Sequence, residues 1–224
     1  STPHEQYYAW VTNFCFGYDG YYANKKATLL YRAVRNVVSP KEVEPVFRLP
    51  ATGQVLCYDD DGEEIVKPEK DQPFYGQDGC FEGNEQSFDK LRTNGDVLSP
   101  DAGWEDGLRM VRDNNTGIVW EIKSPDPVSI NYMEKRFSRD AADQYVEDLN
   151  SERYGGFSDW RLPNREELRS IVDYSGITPA LNTNCFPNCG VGFYWSEDEY
   201  GADPNLCWGI YFAYGCAICY LKSV

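Results

Sequence analysis

The chain has almost no histidine: His4 is the only one in 224 residues. Ser-His and Cys-His catalysis therefore have almost no material to work with. It also lacks any run of about 18 apolar residues that could span a bilayer, and no basic segment followed by an apolar one opens it. No membrane insertion is expected. The chain begins at Ser1 without a methionine, and the expectation is a processed or excised product. Positive charge is scarce as well, with 21 Lys and Arg against 36 Asp and Glu and a net charge of −15. A field of that sign repels phosphate backbones and sulfated glycans, which argues against nucleic-acid binding and against a broad basic binding face. The acidic side chains are spread along the chain rather than gathered in a tail, a pattern that suits solubility outside the cell.

Cysteine is not scarce. Eight cysteines are more than a reduced cytosolic chain of this size carries, and an even number suits a fully paired set, so export is expected. Zinc is the rival reading, because Cys216 and Cys219 form a CxxC and Cys185 and Cys189 a CxxxC. The long spacer between the two pairs, its interruption by Cys207 and the shortage of histidine count against it. Tyr220 follows the CxxC where covalent haem attachment requires histidine, so no haem and no other cofactor is expected. Cys57 and Cys80 bracket a stretch with no regular element and are expected to close it as a disulfide, worth about 3 kcal/mol. For the others, Cys185 with Cys189 and Cys216 with Cys219 are possible local pairs, which leaves Cys15 and Cys207.

The ends of the chain resemble each other. Setting Tyr8–Gly17 against Leu206–Gly215 matches Trp10 with Trp208, Phe14 with Phe212 and Gly17 with Gly215, and Tyr22 then falls on Tyr220 without a gap. A recurring hairpin in one domain explains this, and so does a tandem repeat read across its boundary. Residues 27–35 continue the first copy as a β-prone strand, whereas the second copy stops before any such strand. The expected organisation is a terminal hairpin and closing strand over 1–35 that belong to a preceding or neighbouring module. A Pro-bearing linker over 36–46 and a module over 47–224 that lacks its last strand follow.

Within that module, Gly-, Pro- and Asp-rich segments to about residue 107 predict short strands and turns. Residues 110–121 read as a hairpin around an Asn-rich turn closed by Gly117. Ser138 is placed to cap a helix to Asn150, with Ala142, Tyr145, Val146 and Leu149 on one stripe. Asn164 with Glu167 forms a capping box for a second helix over about 164–174. Strands, two helices and strands again make the class α+β.

The run Gly156-Phe157-Ser158-Asp159-Trp160-Arg161-Leu162-Pro163-Asn164-Arg165-Glu166-Glu167-Leu168 closely resembles the Lcl C-terminal domain-like family. So do residues 49–54 with Cys57-Tyr58-Asp59, residues 77–79 and 112–121, and Tyr194-Trp195-Ser196. The resemblance implies a module of bacterial surface and secreted proteins with a fold related to C-type lectins and to the formylglycine-generating enzyme. It also implies that a closing strand like Leu30–Arg35 follows the hairpin 208–220, which strengthens the permuted reading of the ends. Read as residues, Trp160 and Leu162 are core, with Asp159 and Arg161 exposed or paired at the helix entrance.

Function follows as expectation: a secreted, non-catalytic structural or adhesion module that assembles head to tail with copies of itself, as a tandem repeat or filament. Leu29, Leu30, Tyr31, Ala33 and Val34 are the expected assembly strand. Glu197, Asp198, Tyr200, Asp203 and Asn205, with Tyr211 and Tyr214, are the expected recognition surface toward a glycan or protein of a host or cell surface. Trp208 and Phe212 are assigned inward. The alternatives are a soluble lectin-like ligand-binding domain and an oxidoreductase of formylglycine-generating type working through Cys216 and Cys219. The run from Asp59 to Glu64 imitates a calcium loop without its spacing and reads better as a solvated turn, so no metal is expected.

Overall fold

A computed structural model describes residues 51–223 other than Glu82 and Ile177, together with the backbone of three N-terminal strands. Those strands, β1 (Pro3–Glu5), β2 (Tyr8–Asn13) and β3 (Tyr18–Asn24), form an antiparallel meander in the order β1-β2-β3. The expected assembly strand from Leu29 to Val34 and the expected linker lie outside the described residues.

The Gly-rich region forms short pieces, as its composition requires. β4 (Cys57–Tyr58) and β5 (Glu64–Ile65) pair across the Asp59–Gly62 turn. β6 (Phe88–Leu91), β7 (Met110–Asp113) and β8 (Val119–Glu121) make an antiparallel sheet. The β7–β8 hairpin falls where the sequence places it. Asp113 accepts bonds from the Asn115 N–H (2.9 Å) and the Thr116 hydroxyl (2.7 Å), and Gly117 takes φ +77°.

Helix α1 (Arg139–Ser151) starts at Ser138, whose hydroxyl accepts from Ala141 N at 3.3 Å, and it buries Ala142, Tyr145 and Leu149. At its far end the Asn150 side chain brackets Trp160, accepting from its N–H (2.6 Å) and donating to its carbonyl (2.9 Å). One amide thereby ties the Gly156–Leu168 motif to the helix. Trp160 is half-buried with its indole N–H on Tyr154 O, while Asp159 and Arg161 are exposed and Arg161 forks onto Glu167.

Helix α2 (Arg165–Ser170) carries the expected capping box, with Glu167 N donating to Asn164 Oδ1 and Asn164 N donating to Glu167 Oε2, both at 2.8 Å. It is shorter than the expected 164–174. Val172 leaves the helix to bridge Leu181, Asp173 N bonds Ala180 O and Tyr174 N bonds Thr52 O. Tertiary pairing of those three residues outcompetes the helical continuation.

The last sheet runs β11 (Cys216–Leu221), β10 (Leu206–Tyr211), β9 (Phe193–Glu199), antiparallel with β10 central. Gly209 sits where a Cβ would lie 2.1 Å from Tyr194 O, so the β9–β10 approach depends on the missing side chain. The turn from β10 to β11 needs Gly215 at φ +72°, against Val172. Leu108, Val111, Ile122, Leu168, Ile171, Val172, Ala180, Leu181, Phe186, Ile210, Phe212 and Ala217 form one core between this sheet, the β7–β8 hairpin and α2. The class is α+β: two helices with small antiparallel sheets.

Candidate recognition and assembly surface

The residues expected to form one recognition surface divide between the two ends of β10. Tyr200, Asp203 and Asn205 occupy the β9–β10 turn, which begins at Tyr200 because β9 extends through Glu199. Asp203 Oδ1 accepts from Asn205 N and Nδ2, both at 2.9 Å, and holds that turn in shape. Tyr200 lies edge-on to the buried Trp208 with ring centroids 5.4 Å apart, and the Arg165 guanidinium lies 4.8 Å from the same indole centroid. Tyr211 and Tyr214, paired edge to face at 5.8 Å, sit at the β10–β11 turn instead. Five strand steps of about 3.3 Å separate the two ends, so the two tyrosines do not join the other residues in one patch.

Asp198 has a structural role that the sequence does not show. The pairing of β9 with β10 is irregular between Cys207 and Gly209, which face Glu199 and Trp195. Two extra β9 residues bulge there, Glu197 N reaches Pro163 O at 2.9 Å, and Asp198 accepts from Arg165 N at the start of α2. No sequence signal links positions 33 apart in this way. Glu197 itself is exposed, as is Glu199, whose carboxyl is held low by the Lys222 ammonium.

β11 is one edge of this sheet and β9 the other. β10 pairs with β11, and β3 of the N-terminal meander comes close to it, with no ladder joining β3 to β11 among the described residues. Tyr220 and Leu221 are about half exposed there, at 46% and 49%. Cys216 is buried and Cys219, three positions on, is half-buried. Strand alternation sends their side chains to opposite faces.

The Cys57 and Cys80 sulfurs are 3.6 Å apart. Burial pushes the Cys57 thiol up, and Cys80 pushes it further. In the Asp59–Glu64 turn, Asp59 Oδ1 accepts from Asp61 N (3.0 Å) and Glu63 N (2.9 Å), so this carboxylate is engaged in turn formation. Among the described residues no group of three or more His, Cys, Asp or Glu is arranged to hold a metal ion.

A second polar constellation was not visible in the sequence. Glu121 and Lys123, two steps apart beside β8, form an ion pair at 2.6 Å. Tyr145 of α1 donates to Glu121 Oε2 at 2.5 Å and accepts from Lys123 Nζ at 3.1 Å. Burial and then the Glu121 carboxylate push the Tyr145 hydroxyl well above its ordinary value, which keeps it a donor. The alternation of Glu121 and Lys123 was the available signal; their partner lies on another element.

A family model, the Lcl C-terminal domain, matches residues 109–223. No curated protein and no solved structure matches the chain.

Proposed function

Because the chain belongs to the Lcl C-terminal domain family, we propose that it is a secreted, non-catalytic structural and adhesion module that assembles head to tail with copies of itself at a bacterial cell surface. The proposed fold within the α+β class is C-type-lectin-like. The observation that carries the reading is that β11 ends its sheet and that β3 of the same chain comes close to it with no described ladder joining the two. An edge strand offers unpaired N–H and C=O groups to an added strand. The strand expected over Leu29–Val34 of a neighbour, which follows β3 in sequence, is proposed to add to that edge, and a contact of that kind that does not close by rotation grows into a filament.

Charge favours the same pairing. Residues 20–41 hold Lys25, Lys26, Arg32, Arg35 and Lys41 and no acidic residue, in a chain whose net charge is −15. The segment that carries the strand proposed to be donated is thus cationic and the module that receives it strongly anionic. Export fits the eight cysteines, and no helix among the described residues is long and apolar enough to cross a membrane. On the recognition side, Tyr200, Asp203 and Asn205 with exposed Glu197 form the proposed contact loop toward a glycan or protein.

A shortened chain beginning at Asn36, followed by circular dichroism and sedimentation, tests the assembly reading. A folded chain that no longer self-associates supports it. Loss of the fold means that residues 1–35 complete their own module, and the proposal fails.

A further inference from the structure

We propose that the cleft enclosed by β8, α1, the 157–163 segment and β9 is a binding site for a small amphipathic acid, an aromatic or alkyl body carrying one carboxylate. The cleft has a volume of about 480 Å3, the size of a small-molecule site. Its depth is apolar: Leu168, Leu181, Phe186 and Phe212 are buried at its base. Its walls are aromatic, with Trp120, Phe137, Trp160 and Trp195 giving flat, rigid contact area at low entropy cost. A wholly polar ligand gains nothing from such walls, so the body of the ligand is apolar.

The charge at the mouth sets the head group. Four cations and three carboxylates line the cleft, a local excess of positive charge in a chain of net charge −15. Lys123 is engaged with Glu121 and Arg161 with Glu167. Lys135 and Arg136, both exposed at the mouth, direct their hydrogen bonds to neutral backbone oxygens: Lys135 Nζ to Ile130 O at 3.1 Å, and Arg136 Nη1 to Met133 O and Lys135 O at 3.0 Å. The remaining lining carboxylate is Asp159. Guanidinium and ammonium groups bonded, among the described residues, to carbonyls alone retain donors and full charge for an incoming carboxylate. The Trp120 indole N–H, buried and without an acceptor among the described residues, adds a donor on the wall. The Glu121–Lys123–Tyr145 network is satisfied within itself and fixes the wall between β8 and α1 without consuming these groups.

The test uses the full chain and two probes with the same ring system: 8-anilino-1-naphthalenesulfonate, an anion, and the uncharged N-phenyl-1-naphthylamine. Fluorescence titration is expected to show tighter binding of the anion, and octanoate is expected to displace it. Arg136→Glu, an exposed change at the mouth, should weaken the anion by about fivefold, the scale of one solvent-exposed charge contact, and leave the neutral probe unchanged. Val146→Trp on the α1 wall should block both probes with the far-ultraviolet dichroism unchanged. Phe81→Ser, on the exposed apolar surface of the 57–81 region, should change neither. Equal affinity for the two probes, indifference of the anion to Arg136→Glu, or loss of binding in Phe81→Ser would each overturn the proposal.

Discussion

Residues 51–108 and 109–223 are held together differently. Of the twelve residues of the central core, all but Leu108 belong to the second stretch. The first stretch exposes Val55, Leu56, Val66, Phe74, Tyr75, Phe81 and Val97, and its β4 and β5 are two residues each. Burial stabilises the second stretch, where a fully buried side chain the size of Phe212 contributes on the order of 1.5–3 kcal/mol. The first stretch is held by short closures and by ties to the second: the Cys57–Cys80 approach, the Gln77 side chain bonded to Tyr58 on both its oxygen and its nitrogen, the β6–β7 ladder, and Gln86 reaching Ser170 O and Val172 O. Apolar packing alone does not account for its order, and the family match coincides with the stretch that has a core of its own.

Substitutions can break this contrast, beginning with the largest effect. Phe212→Ala, at 1% exposure in the centre of the core, should cost about 3–5 kcal/mol and unfold both stretches together. Chemical denaturation followed by tryptophan fluorescence would measure it, and a cost under about 1 kcal/mol contradicts the assignment of the core. The next effect is confined to the first stretch. With sulfurs 3.6 Å apart, Cys57 and Cys80 are predicted to form a disulfide under oxidising conditions. Cys57→Ser with Cys80→Ser should then cost about 3 kcal/mol for that loop. Hydrogen exchange should rise over 57–80 and stay unchanged at Val111 and Ile210. Finding either thiol free by peptide mapping of the native protein would refute the bond.

Acid should act on the second stretch through α2. The Arg161 guanidinium holds the Glu167 carboxyl below the usual glutamate range, helped by the Asn164 N–H. A carboxyl lowered on folding stabilises the protein above its unfolded value near 4.3, and that contribution disappears as pH falls through the lower folded value. Glu167→Gln should therefore flatten the acid limb of the melting-temperature profile below about pH 4.5 and leave the neutral plateau within about 1 kcal/mol. An unchanged acid limb would mean that the capping pair does not couple to stability. The smallest effect belongs to the β9–β10 turn: Tyr200→Ala with Asn205→Ala, on half-exposed and exposed positions, should weaken surface adhesion while shifting stability by less than about 1 kcal/mol. Unfolding instead would make these side chains part of the packing.

The sequence reveals the parts of this architecture that are local in chemistry. Ser138, Asn164 with Glu167, and Asp113 with Gly117 announce their elements because a cap or turn is specified within four residues. The end of α2 was not legible, because Val172 exchanges helix for a bridge to Leu181 on a different segment. Asp198 reads as a recognition residue in the sequence because an acid in a polar, aromatic stretch has no visible partner there. Its partner is the Arg165 N–H, presented only once β9 bulges. Sequence proximity groups Tyr211 and Tyr214 with Tyr200, but the hairpin sends them to opposite ends of a strand. The cleft was invisible for the same reason: its walls come from four separated segments.

Head-to-tail addition at β11 is tested most directly by mixing two disabled chains in sedimentation velocity. Val34→Pro disables the donated strand, and Ile218→Lys blunts the receiving edge. Each variant alone is expected to stay monomeric and folded, and the mixture to form a heterodimer that grows no further, since only one strand and one edge remain competent. A mixture that stays monomeric, or variants that still polymerise alone, would contradict it.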